Sequence, residues 1–107
     1  VLIPGSMGTA SYVLVGKEEG ENVSFSSTCH GAGRTMSRHQ AIKTHKWYEV
    51  KDALTKKGII LWAADRKIIS EEAPDAYKDV DEIVKSVELA GISDIVVKLT
   101  PMGVVKG

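Results

Sequence analysis

Apolar residues recur along this chain in short runs, each closed by glycine, proline or a charged cluster, and the spacing alternates between the strand and helix periods. Val1 to Ile3 read as the end of a strand halted by Pro4-Gly5, a pair that marks a turn. Ser6 to Ser11 is a small-residue loop rich in hydroxyls, and Tyr12-Val13-Leu14-Val15 reads as a buried strand. Gly16 to Asn22 is turn-like, after which Val23-Ser24-Phe25-Ser26 alternates as a returning strand, so the pattern predicts a hairpin. Because such strands run back to one edge, the loop with Ser6 and Ser11 is expected to face the loop with His30 across one pocket.

From Arg34 to about Lys43 the pattern predicts a short polar helix with Met36 and Ile42 turned inward. Trp47, Val50 and Leu54 recur at helical spacing, Lys56 and Lys57 fill the last turn, and Gly58 terminates it. Ile59 to Ala63 is a continuous apolar run, expected as a strand covered on both faces. Asp65 to Lys78 is irregular, with a single helical turn opening at Pro74. Asp79 or Asp81 caps a further helix whose apolar stripe is Val80, Ile83, Val84 and Val87, and Gly91 stops it. Asp94 to Thr100 alternates as a strand with Ile95, Val97 and Leu99 on one face; after the Pro101-Met102-Gly103 turn, Val104 to Lys106 is expected to pair back as a last strand. The expected class is α+β: mixed sheet and hairpins with about three helices.

Composition narrows the functional classes. At 107 residues, 43% apolar, the chain makes one modest domain. Its 14 basic and 14 acidic residues cancel, so nucleic acid would have to be met by a local patch, and only Arg34 to Lys46 qualifies. A single cysteine excludes an internal disulfide framework. With no long apolar run and no signal peptide, a soluble cytoplasmic protein without a membrane partner is expected. The opening at Val1, without methionine and already in strand-like sequence, suggests a piece of something longer.

The stretch that carries chemistry is Ser27-Thr28-Cys29-His30-Gly31-Ala32-Gly33-Arg34-Thr35-Met36-Ser37-Arg38. Gly31 and Gly33 let the backbone wrap a ligand closely, and Ala32 adds almost no bulk. A helix opening near Arg34 would point free amides and a positive dipole end at the loop, favouring phosphate. Arg34 and Arg38, four apart, would then share one helix face and present two guanidinium forks to RNA or a triphosphate. Beside that helix start and Arg34, His30 is expected to stay neutral and nucleophilic, able to attack phosphorus; a histidine that only hydrogen-bonds a turn is the alternative. Cys29, His30, His39 and His45 are competent metal ligands, but the adjacency of the first two and the lack of any paired motif argue against a metal site within these residues. His39 and His45 read as solvated helix residues and Cys29 as a small buried side chain. Tyr77 could stack on a base or cover the core edge, and Lys106 reads as a solvated tail residue.

Four segments in order, PGSMGTASY from Pro4, CHGAGRTMSR from Cys29, APDAYKDVDE around Tyr77 and the closing LTPMGVVKG, resemble the C-terminal part of the RtcB family of RNA-splicing ligases. The resemblance implies that the chain, 1–107, is the C-terminal segment of a ligase catalytic domain, incomplete alone. It implies GTP-dependent joining of an RNA 3′-phosphate or 2′,3′-cyclic phosphate to a 5′-hydroxyl in tRNA splicing and RNA repair, through a guanylylated histidine. His30 is the matching catalytic position. The nucleotide-contacting segments map onto Pro4, Gly5, Ser6, Met7, Ser11, His30, Gly31, Ala32, Gly33 and Lys106, with Tyr77 as a wall of the guanine pocket. Arg34 and Arg38 are inferred RNA or phosphate contacts. The implied cofactors are GTP and Mn²⁺, the metal ligands belonging to earlier parts of the enzyme, and the implied partners are tRNA halves and the rest of the same enzyme. A non-catalytic guanine nucleotide- or RNA-binding module is the alternative.

Overall fold

A computed structural model describes residues 1–107, and it is α+β as expected. The order is β1 (Leu2–Pro4), β2 (Ser11–Gly16), α1 (Gly20–Ser24), α2 (Arg38–Thr44), α3 (Trp47–Lys56), β3 (Ile60–Ala63), α4 (Arg66–Glu71), a 3₁₀ turn (Pro74–Ala76), α5 (Val80–Leu89), β4 (Ser93–Leu99) and β5 (Gly103–Lys106). There are thus five α-helices where about three were expected; the short α1 and α4 were missed.

The predicted hairpin does not form. β2 is the central strand of an antiparallel β1-β2-β4 sheet, so both its edges are taken and Val23 to Ser26 have none to join. Gly20 to Ser24 coil instead, and Phe25 and Ser26 turn the chain at positive φ with Phe25 exposed. Between β2 and β4 the register slips at Val13 and Leu14, which face Val97 and Ile95 and leave Val96 of β4 without a partner. This bulge interrupts the single apolar face expected for Ile95, Val97 and Leu99. α5 lies on β1 and β4, with Asp79 accepting from the Asp81 N–H at 2.8 Å as its cap and Gly91 at φ 76° as its stop. Val80, Val84 and Val87 meet Ile3, Tyr12, Leu14 and Ala32 in one buried cluster, against which Cys29 packs half-buried.

A second cluster joins Met7, Val50, Leu54, Ile59, Ile69 and Ala73, drawn from α3, α4 and the loop after β1. β5 pairs with β3, in parallel, rather than folding back on β4. β3 is covered on one face only: Ile60 and Trp62 are exposed, and Leu61 and Ala63 turn toward the second cluster. α4, too short to show a periodic stripe, forms because Asp65 accepts from the Lys67 N–H at 2.7 Å and Ile69 is buried.

Candidate functional site

The turn after β1 and the loop after α1 are joined through backbone. The Gly5 N–H donates to the Ala10 carbonyl oxygen at 2.9 Å, closing Ser6 to Thr9 into a small loop. There the Ser6 N–H donates to Thr9 Oγ1 at 2.9 Å, and the two hydroxyls lie 2.9 Å apart. Only glycine fits at position 5, where a Cβ would stand 2.5 Å from the Ala10 carbonyl oxygen and 2.9 Å from Val80 Cβ. The Ala32 N–H then donates to the Pro4 carbonyl oxygen at 3.0 Å, so the loops of Ser6 and His30 are neighbours although the hairpin invoked to bring them together is absent.

Beside this junction opens a cavity of about 350 Å³. Pro4, Gly5, Ser6, Met7 and Ser11 wall one side and Lys106, from β5, the other. His30 is not in this wall; it stands exposed immediately before Gly31. Gly33 takes φ 77°, and its carbonyl accepts from the Lys78 N–H at 3.0 Å. No helix starts beside His30. α2 opens at Arg38, where Ser37 Oγ accepts from the Gln40 N–H at 3.1 Å, and Met36 precedes the helix; Ala41 is its buried residue and Ile42 only half-buried. Arg34 lies instead in an extended segment bridged to Tyr77.

Arg34 and Arg38 therefore share no helix face. They converge on one carboxylate, that of Glu72, which follows α4 in a stretch whose sequence pattern is irregular. Arg34 spends all three nitrogens internally: Nε donates to the Met36 carbonyl at 3.0 Å, Nη1 to Tyr77 Oη at 3.1 Å, and Nη2 to the Glu71 carbonyl. Its guanidinium lies 4.8 Å from the centre of the Tyr77 ring. It is thus a strut, which corrects the expectation of a fork free for RNA. Arg38 donates to Glu72 Oε1 and lies 3.7 Å from Glu71 Oε2, with 59% of its side chain exposed. On the other side of the same carboxylate, Tyr77 donates to Oε2 and the Lys106 ammonium lies 3.6 Å away.

The electrostatics follow from this crowding. Burial opposes ionisation of Glu72, but the Tyr77 phenol, the Arg38 guanidinium and the Lys106 ammonium outweigh it and hold the carboxyl below the usual range. Burial and then Glu72 push the Tyr77 phenol up, against Arg34. The Glu72 carboxylate likewise pushes Arg38 further up.

His39 is exposed on α2, as expected. His45 is half-buried instead, its Nε2 without a hydrogen-bond partner, in the wall of a cavity of about 240 Å³ between α3 and the Pro74 turn. No three histidine, cysteine, aspartate or glutamate side chains converge as a metal site.

A family model described as "tRNA-splicing ligase RtcB" matches residues 1–107. The chain is 55% identical over 107 residues to a "tRNA-splicing ligase RtcB" of Methanopyrus kandleri, covering all of this chain and 11% of that protein. It is 50% identical over 107 residues to the protein of that name from Thermococcus kodakarensis, covering all of this chain and 22% of that protein. It is 56% identical over 106 residues to "RNA-splicing ligase RtcB homolog 1" of Entamoeba histolytica, covering 99% of this chain and 20% of that protein. The chain thus spans between 11% and 22% of the length of these curated relatives.

Proposed function

The chain belongs to the RtcB family, and from that premise we propose that it is the part of a GTP-dependent RNA ligase that carries the nucleophile and much of the guanylate pocket. In this reading a His30 ring nitrogen attacks the α-phosphorus of GTP, forming an N–P bond as pyrophosphate leaves. The RNA 3′-phosphate then attacks that phosphorus and releases His30, giving RNA-(3′)pp(5′)G. The 5′-hydroxyl of the second RNA attacks the 3′-phosphate, and GMP departs. RNA ends are therefore the substrates, and the remainder of the enzyme is a necessary partner.

The observation that carries this reading is the placement of His30. It is exposed, and two residues on, the Ala32 N–H is tied to Pro4 in the wall of the cavity that Lys106 closes. A cavity walled by small residues and closed by one ammonium is suited to the acceptor atoms of a nucleotide. Arg38, half in solvent, is the guanidinium left to reach RNA phosphate. Manganese, which the resemblance implies, has no ligand set among these residues.

The test uses the full-length enzyme with labelled GTP and Mn²⁺. It is expected to gain a covalent, acid-labile GMP, and His30→Ala to gain none; label retained by that variant rejects His30 as the nucleophile.

A further inference from the structure

Glu72 is the one charged residue of this chain that is buried. A buried carboxylate needs compensation, and a single good partner can supply it. Glu72 has several: Arg38 donates to Oε1 with Arg34 at 3.7 Å, and Tyr77 donates to Oε2 with Lys106 at 3.6 Å. The oxygens divide the labour, Oε1 facing the arginines and Oε2 facing Tyr77 and Lys106, of which only Lys106 lines the cavity beside Ser6; Tyr77, expected as a wall of the same pocket, lies outside it.

Lys106 is the residue that most needs such a partner. Its backbone is set by the β3–β5 register, where Ala63 faces it and its carbonyl accepts from the Ala64 N–H at 2.9 Å. That places the Cα and leaves four rotatable bonds free, and an unanchored lysine disperses into solvent at an entropic cost to any ligand that must recapture it. The Glu72 carboxylate, itself braced by Arg38 and Tyr77, supplies the second anchor.

Resting on the reading above that this cavity takes a guanine nucleotide, we propose that Glu72 is the positioning residue for base choice, holding the Lys106 ammonium so that it presents donors, and only donors, to the base. Guanine offers a carbonyl oxygen and a ring nitrogen on one edge, both acceptors. Adenine offers an amino group in place of the carbonyl. A fixed ammonium satisfies the first edge and leaves the second with donor facing donor; a wandering one discriminates less. Glu72 touches neither base nor phosphate in this scheme and acts through Lys106.

The experiment measures covalent nucleotide attachment to the full-length enzyme as a function of GTP and ATP concentration. Glu72→Gln keeps the shape and removes the charge. It is expected to raise the GTP concentration for half-maximal rate by about ten-fold, the scale of one charge-assisted hydrogen bond, to lower the maximal rate by less than that, and to narrow the GTP-over-ATP preference. Glu72→Asp should restore part of the preference. Lys106→Met, a change at a half-exposed side chain, should show the same signature, and adding Glu72→Gln to it should change little. An unchanged preference in either single variant, or additive losses in the double variant, overturns the proposal. Equal falls in maximal rate for both nucleotides without a change in half-saturation would mean Glu72 only supports the fold, and overturn it too. A wild-type enzyme that takes no label from GTP rejects the underlying reading; one that labels normally while the variants keep its preference rejects this inference alone.

Discussion

The Ala32 N–H donates to the Pro4 carbonyl oxygen at 3.0 Å, and through that one bond the glycine loop that carries His30 is fastened to the turn that walls the cavity. His30 itself stays outside the bond and outside the core, so its chemistry and the stability of the fold are separable.

Replacing His30 by alanine should therefore leave the fold intact. The side chain is exposed, and exposed substitutions of this kind shift stability by no more than about 0.5 kcal/mol. Chemical denaturation of the full-length enzyme should show the same midpoint for wild type and variant; a variant that melts early would mean that loss of labelling reports misfolding rather than a missing nucleophile.

Arg34 should behave in the opposite way. Only 20% of its side chain is exposed, and truncation to alanine strands the Tyr77 hydroxyl, the Glu71 carbonyl and part of the Glu72 charge. A loss of about 2–3 kcal/mol is expected. Arg38, mostly in solvent, should cost less when truncated and lower RNA sealing more. Equal losses of stability in the two variants would contradict this division.

The glycines of the two loops should rank by the room around them. Gly5→Ala forces a Cβ to within 2.5 Å of a backbone oxygen and should cost about 2 kcal/mol or more. Gly31→Ala meets nothing nearer than 3.4 Å and should cost under about 1 kcal/mol. Gly33→Ala falls between, since at φ 77° the penalty is strain rather than collision, about 1–2 kcal/mol. Thermal melts of the three variants give the order directly.

Glu72 and Tyr77 should bound the pH range of stability from both sides. The Glu72 carboxyl is held below its unfolded value of about 4.3, so its contribution is present above that pH and is lost as pH falls through the lower folded value. The Tyr77 phenol is raised above its unfolded value of about 10, so its contribution is complete below that pH and is lost as pH rises through the higher folded value. In denaturation across pH, Glu72→Gln should remove part of the acid-side slope and Tyr77→Phe part of the alkaline one. Slopes unchanged in both variants would place the titrating groups elsewhere.

Much of the secondary structure was legible because it is decided locally. The apolar stripe of Trp47, Val50 and Leu54 specifies α3, the Asp79 cap and the Gly91 stop bracket α5, and Pro74 opens its turn, each signal lying within a few residues of what it determines. Of the residues expected at a nucleotide, Pro4 to Met7, Ser11 and Lys106 line the cavity, whereas His30 to Gly33 lie outside its wall and meet it only through the Ala32–Pro4 hydrogen bond. The helix assigned from Arg34 was misplaced because charge spacing outweighed the weaker local signal of Ser37 as a cap.

What the tertiary structure decided is partnership. Val23 to Ser26 have the alternation of a strand, yet β1 and β4 already occupy both edges of β2, and only an open edge turns alternation into pairing. Glu72 was indistinguishable in sequence from its neighbour Glu71, because a carboxylate becomes a hub only where packing excludes water and brings Arg34, Arg38, Tyr77 and Lys106 to it from distant parts of the chain. Periodicity and caps are properties of a segment; edge occupancy and the burial of a charge are properties of the assembled fold.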